Sequence, residues 1–500
     1  MNAATASLRQ PAEARQAEMV QAVLYLAAQQ EPASITTTDI AKAVGLSQGA
    51  VFRHFPNKQA IWLNVAQWLE ATLLPLVQTA AQSSPDPLTS LDNMMLQRLS
   101  MRVLLMGLLG WSLGGCVSIS RESIAPAPTQ YEQAHVVGFK DIRFWGDEIP
   151  PYLDKMIAQK RQMYLTNNAS RQRIDILALS GGSEDGAYGA GFLKGWSKRG
   201  NRPEFAVVTG ISTGALIAPF AFLGSRHDET IKRFYTETHP QNIFSLSPLT
   251  ALFGGSALGD TSPLRRIIRD EINDELVAAI ARESRRGRML FIGTTNLDAQ
   301  RPVTWDIGSI AASGHPHAVK LIGDIILASA AIPGIFPPVS FDVRVTGKPY
   351  QELHVDGGVT NQIFVYPTAV DAREIDQQLG VKPHKTFWLI RNTKIDPVYE
   401  AVGWGVADIA ERSISTMTKY QGRGDLMMLE NLARRDNFDL RLTYVPQNFD
   451  TPLKEMFDPV YMKDLYQVGY RAALSDDAWK KQVSGFSARP QENVGHKGIR

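Results

Sequence analysis

Twice between residues 174 and 223 the chain repeats one pattern: an apolar run, a glycine turn, then a helix of small and apolar residues. Residues 174–179 are apolar apart from Asp175 and predict a buried strand; 187–196 predict a helix. A second apolar run, 205–209, predicts a strand leading into Gly210 and Gly214, and 215–223 predict the next helix. Two such units in sequence predict an α/β fold, with further strands at 289–295, 350–355 and 386–390. Residues 438–444 alternate as a half-exposed strand does. Residues 265–286 predict one charged amphipathic helix with a solvated face, and 401–435 a long helix with a candidate interruption near Gly422.

The pattern before this block is different. Residues 12–29 predict a helix carrying Met19, Val23, Leu24 and Leu26 on one side. A second helix spans 36–44, with Thr36 and Asp39 spaced as a capping box. A tight turn at 45–47 follows, and Ser47 caps a third helix, 48–55. Two short helices around a glycine turn make a helix-turn-helix pattern. Helical character continues over 67–82 until 83–87 break it. Arg98 and Arg102 then precede an apolar run, 103–113, and Gly114-Gly115-Cys116. A basic segment, a short apolar run and small residues before a cut are the layout of a secretory signal. An uncleaved anchor and a core helix are the alternatives; the run is short against the ~20 residues a span needs. A polar, proline-containing tether follows to about residue 128, and Phe144 and Trp145 are candidates to pack on the later domain. Residues 242–259 form an apolar loop with two open readings, a mobile cover over a cleft or plain core. The tail beyond 485 reads as disordered.

Composition narrows the picture in three ways. A length of 500 residues suggests about two to four domains. A net charge of +2 excludes a general polyanion-binding role. The single cysteine excludes an internal disulfide framework, and no cluster has metal-ligand spacing, so neither metal nor cofactor is expected.

The chemistry is concentrated in the second turn. In a G-x-S-x-G elbow the serine sits on a strained strand-to-helix turn, exposed at a helix N-terminus that favours negative charge. Gly210, Ser212 and Gly214 have that spacing. The preceding turn, with Gly181, Gly182, Ser183 and Gly186, offers backbone N–H groups for an oxyanion. A dinucleotide fingerprint is the competing reading, but Ser183 stands where its second glycine belongs. Asp356-Gly357-Gly358 ends a predicted strand and places a carboxylate at the sheet edge where α/β sites lie. His354 is on the same strand face as Asp356, so a third catalytic member stays open.

Four ordered pieces resemble the patatin-like phospholipase family: the turn 181–186, Gly210-Ile-Ser-Thr-Gly214, residues 328–338, and Asp356-Gly357-Gly358. The resemblance covers about 174–367. It implies a three-layer α/β/α core and a Ser–Asp dyad, with Ser212 as nucleophile, Asp356 as base, and Gly181, Gly182 and Ser183 holding the oxyanion. Ser183 and Asp185 depart from the family pattern, which has a glycine and an arginine there, so a cation near the oxyanion is missing.

The N-terminal segment resembles the DNA-binding domain of the tetracycline-repressor family, through residues 40–41, 45–47, 49–50 and 52–58. That resemblance implies DNA contacts from Thr36, Ser47, Gln48, Gly49, Phe52, Arg53, His54 and Lys58. Residues 1–75 hold no net positive charge, with Arg9, Arg15, Lys42, Arg53 and Lys58 against Glu13, Glu18, Glu31, Asp39 and Glu70. Residues 113–116 resemble a bacterial lipobox and imply lipidation of Cys116.

The organisation expected is a helix-turn-helix domain at 1–75, a linker at 76–97, a lipoprotein signal or anchor at 98–119, and a tether at 120–170. A hydrolase domain at 171–370 and its extension at 371–500 complete it. The expected function is a membrane-tethered acyl hydrolase of lipid esters, facing the periplasm as a lipoprotein, with DNA as a second partner. The alternative is a cytoplasmic transcriptional regulator whose patatin-like half senses acyl ligands without turnover.

Overall fold

The computed structural model describes residues 12–27, 35–55, 58, 60–62, 64, 65, 68, 124–166, 173–243, 245, 246 and 259–483. The linker, the signal segment with Cys116, most of the 242–259 loop and the tail beyond 485 lie outside those residues. The chain forms two units, 1–121 with 247–258, and 122–246 with 259–500.

In the first unit, α1 (Ala12–Ala27), α2 (Thr37–Ala43) and α3 (Gln48–Val51) enclose Met19, Val23, Ile40, Val51 and Phe55. The capping box forms. Asp39 N donates to Thr36 Oγ1 over 3.2 Å, and Thr36 N donates to Asp39 Oδ2 over 2.9 Å. Helix α3 is shorter than the sequence predicts: it stops at Val51 and continues as hydrogen-bonded turns to Phe55.

The second unit is built on one large sheet. Its strands are β1 (His135–Val136), β2 (Arg143–Trp145), β3 (Arg173–Leu179) and β4 (Val207–Ile211). After the short hairpin β5 (Ser245–Leu246) and β6 (Gly259–Asp260) come β7 (Met289–Asn296), β8 (Arg301–Asp306), β9 (Val339–Val345), β10 (Lys348–Asp356), β11 (His384–Arg391) and β12 (Phe438–Tyr444). The order is β1-β9-β10-β7-β4-β3-β11-β12, with β8 pairing β7 and β2. Strands β12, β11, β3, β4 and β7 run parallel, whereas β10 and β8 run antiparallel to β7.

Alternation along these strands feeds two cores. Leu177 and Leu179 join the larger one, with α5 (Gly186–Arg199) and α6 (Thr213–Leu223); Ile176 and Ala178 face the other. Each face is covered by helices, so the unit has three layers.

Several elements depart from the sequence expectation. Residues 124–166, expected as part of a tether, contribute β1 and β2 to the sheet and a helix, α4 (Leu153–Thr166). The apolar residues Val136, Ile142 and Phe144 draw them in, and Phe144 packs edge-on against Phe291. The expected helix over 265–286 is two, α8 (Ser262–Glu271) and α9 (Asp274–Arg285), because Asn273 caps a new start by accepting from Leu276 N over 3.1 Å. Strand β4 lies two residues later than its apolar run, so Gly210 and Ile211 pair with Ile292 and Gly293. The long helix, α11 (Val406–Arg435), passes through Gly422 unbroken. The hydrogen at that position leaves room for the buried Arg391 guanidinium, whose Cζ would lie 2.6 Å from a Cβ.

Helix α5 crosses the C-terminal helix α12 (Pro459–Leu474) at backbone contact. A Cβ on Gly191 would lie 2.8 Å from the Tyr466 carbonyl carbon, and one on Gly469 2.9 Å from that of Tyr188. Only glycine permits this approach, which locks the helix behind the first turn in place.

Candidate active site

The elbow has the strain its spacing predicts. Ser212 adopts φ 55°, ψ −122° and caps α6. A Cβ on Gly210 would lie 2.7 Å from the Gly214 carbonyl carbon, and one on Gly214 2.7 Å from that of Leu179. Both glycines are therefore required by the backbone around them. Ser212 N donates to Ser329 Oγ over 2.9 Å, and Ser329 Oγ donates to Gly293 O over 2.7 Å. This bridge from β7 holds the turn in its unfavourable conformation. Ser329 belongs to the 328–338 stretch, and its position as a buried polar residue at the end of an apolar helix is the signal that could have marked it.

Asp356 reaches Ser212 by a different route from the one expected. Strand β10 runs antiparallel to β7, and Asp356 is level with Thr294, next to the Ile211–Gly293 pair that precedes the elbow. Gly357 and Gly358 then turn the chain, and Gly358 N donates to Asp356 Oδ1 over 2.7 Å. The Ser212 side chain is the other polar neighbour of the Asp356 carboxyl and acts to lower its pKa. Burial pushes the Asp356 carboxyl up to about 6, against the lowering by these two groups. Both side chains are 6% exposed.

His354 is placed elsewhere. Its Nδ1 is 2.9 Å from Thr294 Oγ1 and its Nε2 3.2 Å from Glu352 Oε2, while Arg143 pairs with Glu352 at 2.5 Å. It is fully buried against Trp305 and Phe341. Burial lowers its pKa, so it is a neutral core histidine with both nitrogens occupied.

In the first turn, Gly181 N donates to Gln362 O over 3.1 Å, so its N–H is not open to a substrate. This corrects the three-donor expectation. Gly182 (φ 151°) and Ser183 (φ 46°) carry the turn, and neither N–H has an acceptor among the described residues. Asn392, after β11, braces the turn: its Oδ1 accepts Gly189 N at 3.1 Å and its Nδ2 donates to Ser180 O at 2.9 Å. Gly186 opens α5 against Thr213 and Tyr235, which are hydrogen-bonded to each other.

Acidic residues occupy the middle of this turn. Burial, with the neighbouring Asp185, pushes Glu184 up to about 7. Asp185 is raised to about 6 by burial, accepts Tyr461 OH at 2.5 Å, and feels Lys394, Lys419 and Arg391. The cation missing from the turn is thus matched by three cations from β11, the loop after it and α11.

A slot beside Ser212 is lined by Leu216, Phe234, Ile243, Leu264, Phe336 and Phe457, with a volume of about 20 Å³. A larger cavity of about 220 Å³ lies at the opposite ends of the strands, among Ile174, Val207, Met289 and Phe438. It holds no part of the dyad, so the small slot is the one relevant to chemistry. Among the described residues no cluster could hold a metal ion.

In the first unit, Thr36, Ser47, Gln48, Gly49, Phe52 and Arg53 are exposed, and His54 and Lys58 half-buried. Gln48 Nε2 donates to Thr37 Oγ1 over 2.8 Å.

A three-layer sheet with a serine elbow and an Asp-Gly-Gly turn defines the class of the second unit, and comparison with known proteins agrees. Residues 177–369 match the family model described as patatin-like phospholipase, and 20–65 match that of bacterial regulatory proteins, tetR family. The chain thus carries a patatin-like hydrolase domain and a TetR-like DNA-binding domain.

The curated relatives match only the N-terminal part. The nucleoid occlusion factor SlmA of Alteromonas mediterranea is 31% identical over 75 residues, covering 15% of this chain and 38% of that protein. SlmA of Vibrio cholerae is 33% identical over 82 residues, covering 16% and 42%. The chain spans about two fifths of the length of these relatives. Among solved structures, VipD from Legionella pneumophila aligns over 60% of this chain and 66% of its own, at 12% identity and a TM-score of 0.31. The two are too distant in shape for one to inform the other.

Proposed function

We propose that the second unit is a serine acyl hydrolase, of phospholipase A or lipid-esterase type, working through a Ser212–Asp356 dyad. The observation that carries this reading is a serine on a strained elbow beside a buried carboxyl whose pKa its side chain lowers. Ser212 Oγ attacks the ester carbonyl while Asp356 takes its proton. The oxyanion is met by the Gly182 and Ser183 N–H groups of the turn before α5. The C–O bond to the alcohol breaks and Asp356 returns the proton to the leaving oxygen, leaving an acyl-enzyme. Water, deprotonated by Asp356, attacks the acyl carbon, the acyl C–Oγ bond breaks, and Asp356 passes the proton to Ser212 Oγ as the fatty acid leaves. A fluorophosphonate active-site probe is expected to label the wild type and not Ser212→Ala; an unlabelled wild type overturns the reading.

The first unit is proposed to contact DNA through Thr36, Ser47, Gln48, Gly49, Phe52, Arg53, His54 and Lys58, supported by the tetR-family match and the exposure of its turn. The domain limits proposed are those given by the sequence, with the α/β unit extended back to residue 124. For localisation, the signal-like segment supports a mature lipoprotein beginning at a lipidated Cys116 and facing the periplasm. A cytoplasmic regulator with the two units continuous is the other reading, favoured by the tetR-family match.

A further inference from the structure

One surface of the α/β unit is turned inside out. In the first four turns of α11, Val406, Ile409, Ile414, Met417 and Tyr420 fall within an arc about 140° wide at 100° per residue. The charged residues Asp408, Glu411, Arg412 and Lys419 occupy the opposite side. An amphipathic helix on a globular protein buries its apolar arc; this one leaves it exposed, while on the charged side Arg412 and Lys419 are half-buried and Asp408 and Glu411 exposed. Arg412 pairs with Glu400 at 2.8 Å, and Lys419 Nζ donates to the carbonyls of Lys394 and Asp396 at 3.2 Å, so the polar side is tied to the body. The apolar side faces outward, with Val406 87%, Met417 71% and Ile414 64% exposed. The preceding loop extends it with Tyr399 and Trp404, 91% and 98% exposed.

The face adjoins the candidate active site. Gln421, one residue beyond Tyr420, donates to Val359 O over 3.2 Å and accepts from Gln362 Nε2 over 3.3 Å. Val359 itself is 45% exposed, three residues after Asp356. We propose that the face formed by 398–420 docks on a lipid surface and presents the Ser212 site to it. This rests on the lipid-ester reading above and adds where and how the substrate is met.

Charge and composition select this occupant. Residues 401–407 carry no charge, and within 394–423 Lys394, Arg412, Lys419 and Arg423 balance Asp396, Glu400, Asp408 and Glu411. A polyanion or an acidic partner finds no complementary field here. Trp and Tyr at the tip with aliphatic residues behind are the composition that settles at the headgroup–acyl boundary. Among the described residues no helix is long and apolar enough to cross a membrane, so the helix lies on the surface.

The test uses full-length Ser212→Ala protein with and without Trp404→Ser, Val406→Ser and Met417→Ser, floated with phosphatidylcholine vesicles. The triple change is expected to lower vesicle-bound protein roughly tenfold or more. In the Ser212 background it should abolish hydrolysis of vesicle lipid and leave turnover of a soluble short-chain ester unchanged. Equal flotation of the two proteins overturns the proposal. So does a triple variant that turns a dimer into a monomer with vesicle binding intact, since the occupant is then a second copy. A wild type that hydrolyses no soluble ester, while Ser212→Ala floats and the triple variant does not, sinks the hydrolase reading and leaves the docking surface standing.

Discussion

At the scale of single residues, the site rests on a carboxylate made basic enough by burial. A general base works best when its pKa lies near the operating pH. In the proposed dyad Asp356 must be ionised to accept the Ser212 proton, and burial raises it to about 6. The kcat/KM profile is therefore expected to rise through about pH 6 and flatten above it, on a soluble ester. A plateau that persists well below pH 5 would mean that Asp356 titrates as an ordinary surface carboxylate and is not the base. The strained elbow at Ser212 and the turn after Asp356 were legible because a glycine-flanked turn constrains its own sequence. Ser329, Gln362 and Asn392 were not. Each acts from a distant segment on a backbone group, Asn392 on Ser180 and Gly189, so no local spacing records the pairing. The competing role for His354 rested on strand alternation, which gives the side of a sheet but not the partners waiting there.

At the scale of elements, apolar runs located the parallel strands well, because a strand buried on both faces is apolar throughout. Helix ends and interruptions were harder. Gly422 resembles a break in sequence, yet it is a place where a guanidinium passes; Ile272 and Asn273 look continuous and form a boundary. The crossing of α5 and α12 gives an energetic test. Gly469→Val forces side-chain atoms into the α5 backbone near Tyr188 and Phe192, and overpacking of this kind costs about 3 kcal/mol or more. Gly424→Ala, in α11 with open space at its Cβ position, should instead gain ~0.5–1 kcal/mol. Thermal melts of the two variants against wild type are expected to shift in opposite directions. A Gly469→Val protein with an unchanged melting temperature would show that the helices are not in backbone contact.

At the scale of the whole molecule, the question is which product of this sequence does the work. If Cys116 is lipidated, the most N-terminal peptide of protein recovered from membranes should have the mass of an acylated Cys116, with no peptides from residues 1–115. Recovery of those peptides in one chain with the α/β unit would reject the lipobox. The helix-turn-helix residues then become the next object, and specific DNA binding that weakens steeply with salt is expected of them. These segments were read from their local composition alone, and a piece beside the α/β fold was misassigned. Residues 124–166 looked like a tether because their apolar positions are sparse, although β1 and β2 are stitched to β9 and β8.

The sheet order also sets a schedule for the chain during its synthesis. Strand β3 lies between β4, which follows it closely, and β11, which begins at His384. The oxyanion turn leans on Asn392, and the helix behind it on residues 459–474. Ser212 therefore leaves the ribosome long before the parts that aim it exist. Contacts so far apart along the chain form late, and a ribosome-bound or C-terminally truncated chain would hold the proposed nucleophile without its supports. On the proposed function, a lipid-ester hydrolase is in this way kept inert until the helix at 459–474 has been made.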